Sequence, residues 1–275
     1  MGSTECVVVK VIGYRLSVIG HLSAIGRVLA LTLCVGAIPF VNNARVYAGE
    51  KVGLTYGVSQ TVQAAYIWRG YYAGGPNTQI DANVGYGGAY VDMWWSLGAT
   101  DIHCKAFQPE VDISIGFKRW GLNIFALYIH NFNCGFFDFR NYADKGNRLE
   151  LNVKYTISDK IPLTFTWATR VSAADGYIND KGELVMAHSS YAEISYLHKM
   201  RGGFSMFYAF GITPFRSCYT NYEKDFALQN IEVRLRKDWD IHERVGLMAF
   251  GQIAVNPCSH LNLINLNTGI GFYLK

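Results

Sequence analysis

Charge is scarce in this sequence. Charged side chains make up 17% of its 275 residues, where ordinary soluble domains carry about 25%. A surface this poor in charge argues against a soluble enzyme. Proline is also scarce, at 6 residues, so few positions forbid a ladder hydrogen bond. Long apolar runs are missing. The longest, Val28 to Val41, is broken by Thr32, Gly36 and Pro39, and a membrane-spanning helix needs about 20 apolar residues. A helical membrane protein is therefore excluded. Reactive motifs are missing too: the sequence contains no G-x-S-x-G, H-E-x-x-H or C-x-x-C. Gly85, Gly87 and Gly88 read as a hairpin turn, because no helix follows them to hold a phosphate. No cofactor or metal is expected.

The broken apolar run fits a secretory signal better. Arg27 flanks it, and Val46-Tyr47-Ala48 is a small-residue cleavage site before Gly49. Residues 1–48 are read as leader and signal peptide, and 49–275 as the mature domain. The first 26 residues are too long for the positively charged region that usually opens a signal peptide. They carry a near-repeat, Val11 to Ser17 and then Val18 to Ala24, so either the start lies further downstream or the leader is long. The leader holds Lys10, Arg15, Arg27 and Arg45 against Glu5. Without it 21 basic and 20 acidic residues remain, and no basic field is left to attract nucleic acid.

What is present is glycine (28 residues), aromatics (15%) and a period of two. Gln79, Asp81 and Asn83 alternate with Ile80, Ala82 and Val84. Glu110, Asp112 and Ser114 alternate with Val111, Ile113 and Ile115. Glu150, Asn152 and Lys154 alternate with Leu149, Leu151 and Val153. Period two marks strands. The pattern predicts strands at 58–72, 78–86, 89–98, 108–119, 122–131, 148–158, 163–173, 188–198, 204–212, 228–239, 244–255 and 262–274. Most have the length that crosses a bilayer at a tilt. Short connections alternate with longer ones, as in barrels with short periplasmic turns and long outer loops. The expected fold is an all-β, transmembrane antiparallel β-barrel of about 12 strands. Its expected place is the bacterial outer membrane, among outer-membrane lipid and delivered by the barrel-assembly machinery.

The residues from Tyr66 onward carry a resemblance. Tyr66-Ile67-Trp68-Arg69-Gly70-Tyr71 precedes Gly74-Gly75-Pro76. Then come Gly85-Tyr86-Gly87-Gly88-Ala89-Tyr90 and Trp94-Trp95-Ser96. This opening resembles that of TorF-type porins, which implies a barrel and, by name, porin activity. It brings no catalytic residue. One feature departs from such barrels: the chain ends Phe272-Tyr273-Leu274-Lys275 rather than on an aromatic residue.

With apolar residues toward lipid, the lumen receives Arg69, Asp81, Asp92, Glu110, Asp112, Lys118, Glu150, Lys154, Arg170, Glu193, Glu232, Arg234 and Arg236. Acids and bases nearly balance. Such a lumen can pair internally and stiffen, or line a path for a small polar solute. Arg69 is either a constriction residue or an ion-pair partner of a lumen acid such as Asp81. The loop aromatics Phe132, Phe136, Phe137, Phe139 and Tyr142, and Phe215, Tyr219, Tyr222 and Phe226, read as an interfacial girdle or as a ligand-binding surface.

Three functions compete. The chain is a porin or small-solute channel, or a non-conducting barrel that binds ligands by its outer loops, or, on weaker grounds, a lipid-modifying enzyme. The enzyme would need a serine activated by histidine. His188 and Ser189 are adjacent on a strand and so point to opposite faces. Four cysteines follow the leader: Cys104, Cys134, Cys218 and Cys258. All fall in long loops. Consecutive outer loops flank one hairpin, so the expected bonds are Cys104–Cys134 and Cys218–Cys258, with free thiols as the alternative.

Overall fold

A computed structural model gives the architecture. It describes residues 9–11, 14–16, 53–98, 109–132, 134–139, 146–172, 175–259 and 262–274. Twelve strands close into one antiparallel barrel. They are β1 (Leu54–Gln63), β2 (Asn77–Tyr86), β3 (Ala89–Gly98), β4 (Pro109–Arg119), β5 (Leu122–His130) and β6 (Arg148–Thr156), then β7 (Leu163–Arg170), β8 (Ser190–Lys199), β9 (Phe204–Thr213), β10 (Ala227–His242), β11 (Val245–Val255) and β12 (Ile264–Leu274). Each strand pairs with its sequence neighbour, and β12 returns to β1 through Ile270↔Val62 and Gly271↔Thr61. Closure leaves no unpaired edge, the condition for a sheet in hydrocarbon. The Val9–Val11 and Tyr14–Leu16 segments pair only with each other. The expected cleavage site lies outside the described residues.

The burial pattern is that of a soluble protein turned inside out. Val91, Ile115, Ile124, Val153, Phe165 and Ile194 are exposed on the outer wall. Asn152, Asn230, Gln252 and Asn267 are buried on the inner one. This follows from the period of two: one face of every strand meets the bilayer and the other meets the lumen. Ile80, Leu151 and Val233 share the outward register, and so does Val111. Val111 is nevertheless covered, between its register partners Trp95 and His130.

The short turns are specified locally. Tyr86 pairs with Ala89 across Gly87-Gly88, and Arg119 with Leu122 across Trp120-Gly121. All four turn residues have positive φ, as two-residue hairpin turns with the sheet's own twist require. At the other end lie the long connections, which hold Cys134, Cys218 and Cys258. The expected topology therefore stands for these three. Cys104 lies outside the described residues.

One expected strand is not a strand of the wall. The run 58–72 divides. β1 ends at Gln63, and Tyr66–Trp68 pairs with Tyr71–Gly74 as a separate hairpin. Trp68 faces Tyr71 in the register, and the two turn residues, Arg69 (φ 51°) and Gly70 (φ 76°), again both have positive φ. The run Ala64-Ala65-Tyr66-Ile67-Trp68 is apolar at every position and reads as a strand that continues β1, so the pattern did not separate it from the wall.

Candidate functional site: the lumen and its inward hairpin

The hairpin at 66–74 folds inside the barrel. At its base the Ala65 amide donates to Asn267 Oδ1 at 2.9 Å, and Tyr66 Oη donates to Glu110 Oε1 at 2.8 Å. At its tip Gln229 Nε2 donates to the Arg69 carbonyl at 3.4 Å and Asn265 Nδ2 to the Gly70 carbonyl at 3.1 Å. The tip is pressed against β10. A Cβ on Gly70 would sit 2.6 Å from the Gln229 carbonyl oxygen. Left-handed backbone already costs a non-glycine residue roughly 1–2 kcal/mol. Gly70→Val is expected to leave the barrel assembled but to lift the tip. Limited proteolysis should then cut between Tyr66 and Gly74 in the variant and not in the parent.

Arg69 crosses the lumen from this tip. Its Nη1 donates to Glu150 Oε2 at 2.8 Å and its Nη2 to Glu150 Oε1 at 2.6 Å. This is the two-pronged geometry that makes arginine–carboxylate pairs strong. Nη2 also donates to Asn152 Oδ1 at 3.3 Å, and Nη1 donates to Tyr219 Oη. The guanidinium carbon lies 4.4 Å from the Trp68 ring centre and 4.8 Å from that of Tyr191, within cation–π range. The partner is therefore Glu150 on β6, not Asp81. A lumen acid was the expected partner, with Asp81 as the example; the turn carries the side chain to Glu150 instead.

The other expected lumen residues take the inward register. Glu232 pairs with Arg234 at 2.5 Å, and Arg236 pairs with Asp238 at 2.6 Å. Glu193 accepts from Tyr191 Oη at 2.5 Å. The Lys154 ammonium lies 5.4 Å from the Phe125 ring centre. Asp81, Asp92 and Lys118 line a cavity of about 480 Å³ at the short-turn end, together with Arg236. Glu110 and Arg170 line a second cavity, of about 650 Å³, at the long-loop end. Asp112 is inward on β4, with its Oδ1 buried and unpartnered among the described residues. The two cavities share no lining residue, and the Arg69 cluster stands between them.

Three contributors escaped the sequence reading. Arg148 is inward, in line with Glu150, and lines the long-loop cavity; the strand pattern held it, but at the very first position. Tyr191 is 1% exposed, and its ring covers Gly211 of β9, where a side chain would collide with it. Tyr219 comes from the 214–226 connection. It was read with the girdle aromatics but points inward to Arg69, and burial holds its phenol protonated. Tyr222 also leaves the girdle, donating to Asp175 Oδ1 at 3.3 Å and stacking on Tyr177 at 5.2 Å. Phe215 and Phe226 are exposed, as girdle residues are. Phe132, Phe136, Phe137 and Phe139 gather outside the wall beside Tyr128 and His130. Tyr142 lies outside the described residues.

Cys218 and Cys258 are free thiols, against the expected bond between them. The Cys258 thiol donates to the Leu228 carbonyl at 3.0 Å. Cys218 is packed beside Ser189, whose hydroxyl accepts from the Cys218 amide at 2.8 Å, and burial pushes its thiol pKa up. Cys134 is likewise free, its thiol 3.4 Å from Asn147 Oδ1. Ser189 and His188 are both engaged elsewhere. The Ser189 hydroxyl donates to Asp175 Oδ1 at 2.6 Å, and the His188 ring meets the Arg170 carbonyl at 3.3 Å.

No family model matches the chain, and no curated protein matches it in sequence. Among solved structures the chain is similar in architecture to outer-membrane porin-like barrels. The NanC porin is 11% identical with a TM-score of 0.46, the match covering 80% of this chain and 100% of that one. The KdgM porin is 6% identical with a TM-score of 0.43, covering 80% and 98%. The COG4313 outer membrane channel from Pseudomonas putida F1 is 10% identical with a TM-score of 0.44, covering 84% and 98%. At such identities no functional residue is carried from them to this chain.

Proposed function

We propose that the protein is a narrow outer-membrane channel for small polar solutes, with the 66–74 hairpin as its constriction. The observation that carries this reading is the single inward hairpin, whose Arg69 reaches across a polar lumen to Glu150 and Asn152 on β6. A barrel of about eight strands is filled by its own side chains, and one of 16–18 leaves a wide aqueous path. Twelve strands with one hairpin across them leave a path set by that hairpin. The wall supplies positioning and polarity, and no bond-breaking step is assigned to it. The finer likeness to TorF-type porins rests on Tyr66 to Tyr71 with Gly74 to Pro76, Gly85 to Tyr90 and Trp94 to Ser96, and the first of these runs builds the proposed constriction.

Liposome swelling tests this. Proteoliposomes should admit small neutral polyols and exclude oligosaccharides, and Arg69→Ala should raise the size limit. Exclusion of every solute by both proteins would favour a second reading, a closed barrel that displays its loops. The observation behind that reading is the close packing of Arg69, Tyr191, Asn152 and Tyr219 between the cavities.

A further inference from the structure

Some opposite charges in this lumen touch, as Arg69 does Glu150, Arg234 does Glu232 and Arg236 does Asp238. Those of the long-loop cavity do not. Arg148, Arg170 and Glu110 all line it, yet no ion pair joins them among the described residues.

Arg170 is 4% exposed, and its Nε is buried without an acceptor. Its guanidinium carbon packs 5.4 Å from the Tyr219 ring centre. Its register partner across the ladder is Glu150, whose two oxygens are both held by Arg69. Arg170 is thus a buried cation that shares Glu150 with Arg69 and makes no ion pair of its own among the described residues. Arg148 stands two residues before Glu150 on the same face of β6. On the neighbouring wall Glu110 accepts one hydrogen bond, from Tyr66. β4 and β6 are separated by β5 alone, so the two walls stand two strand spacings apart, about 10 Å.

Buried charge is costly unless it is paired and hydrogen-bonded. An anion would satisfy the arginines and leave Glu110 unmet, and a cation would do the reverse. One small molecule carrying both charges meets both needs, because Arg148, Arg170 and Glu110 line the same cavity. We infer that the long-loop cavity is a binding subsite for small zwitterions of the α-amino-acid type. The carboxylate sits on Arg170 and Arg148, and the ammonium sits on Glu110. Trp68, Tyr71 and Tyr219 offer aromatic surface to the rest of the molecule. This assignment rests on the channel reading for its purpose, but binding itself does not require conduction.

The test uses the purified full-length protein in detergent micelles, titrated calorimetrically with three probes. L-leucine carries both charges, N-acetyl-L-leucine only the carboxylate, and L-leucinamide only the ammonium. L-leucine should bind, and each single-charge probe should bind about tenfold or more weakly, the loss expected for one charge-assisted contact. Arg170→Gln and Glu110→Gln should each weaken L-leucine by a similar factor, with heat-modifiable migration on gels confirming the folded barrel. Arg148→Gln stands in if Arg170→Gln does not fold. Equal or tighter binding of N-acetyl-L-leucine would make this an anion site and overturn the inference. Equal binding of L-leucinamide would overturn it as well. A protein that conducts in planar bilayers but binds none of the three would refute the subsite and leave the channel reading standing.

Discussion

Replacing residues 66–74 by a short Gly-Ser turn is expected to raise single-channel conductance several-fold. The hairpin carries Arg69 across the lumen and is held to the wall by side-chain contacts, not by ladder pairing. It forms its own two-stranded sheet, so its removal leaves all twelve ladders intact. What is lost is the plug and its anchors: Tyr66 on Glu110, Arg69 on Glu150, and the tip carbonyls on Gln229 and Asn265. Arg69→Ala alone should give a smaller rise, because those carbonyl anchors remain. It also breaks the buried Arg69–Glu150 pair; removing one partner of such a pair typically costs about 3–5 kcal/mol, less what Arg170, the register partner of Glu150, recovers. The double variant Arg69→Ala/Glu150→Ala should recover part of that stability and keep the wider pore. Planar-bilayer recordings on the four proteins separate these effects. Equal conductance in the parent and the excised form would remove the hairpin from the path.

Val153→Arg is the second large effect. Val153 is 41% exposed on the outer face of β6, and a lipid-facing arginine at the midplane costs about 2–4 kcal/mol. That is a large share of the stability of an ordinary domain. Little folded barrel should reach the membrane fraction, as read by heat-modifiable migration. Thr55→Arg is the matched inward change, into the water-accessible short-turn cavity, and should assemble nearly normally. The next inward neighbour, Asn152, is a poor control because its Oδ1 accepts from Arg69. Similar loss for Val153→Arg and Thr55→Arg would mean that the lipid and lumen faces are misassigned.

These two predictions draw on different parts of the sequence. The wall was legible, since its faces follow from a period of two and its turns from Gly87-Gly88 and Trp120-Gly121. The hairpin was not. Tyr66-Ile67-Trp68 is apolar at every position and reads as a continuation of β1, and only the Arg69-Gly70 pair marks a turn. Nothing local tells a hairpin to fold inward; that is set by Glu150, Gln229 and Asn265, which are distant in sequence. The same limit applies to Tyr219 and Tyr222. Loop side chains carry no periodicity, so composition read them as girdle, whereas Arg69 and Asp175 draw them in. Cys134, Cys218 and Cys258 were placed at the correct end by the alternation of the connections, but pairing needs geometry that spacing does not carry. Cys258 turns its thiol to a backbone carbonyl instead.

A channel narrowed by its own hairpin is tested most directly by recording the unmodified protein in a planar lipid bilayer. It should give discrete conductance steps, smaller than those of the same barrel with residues 66–74 excised. A membrane that stays silent with the folded parent protein, yet conducts once the hairpin is removed, would show the native barrel to be closed and would contradict the channel.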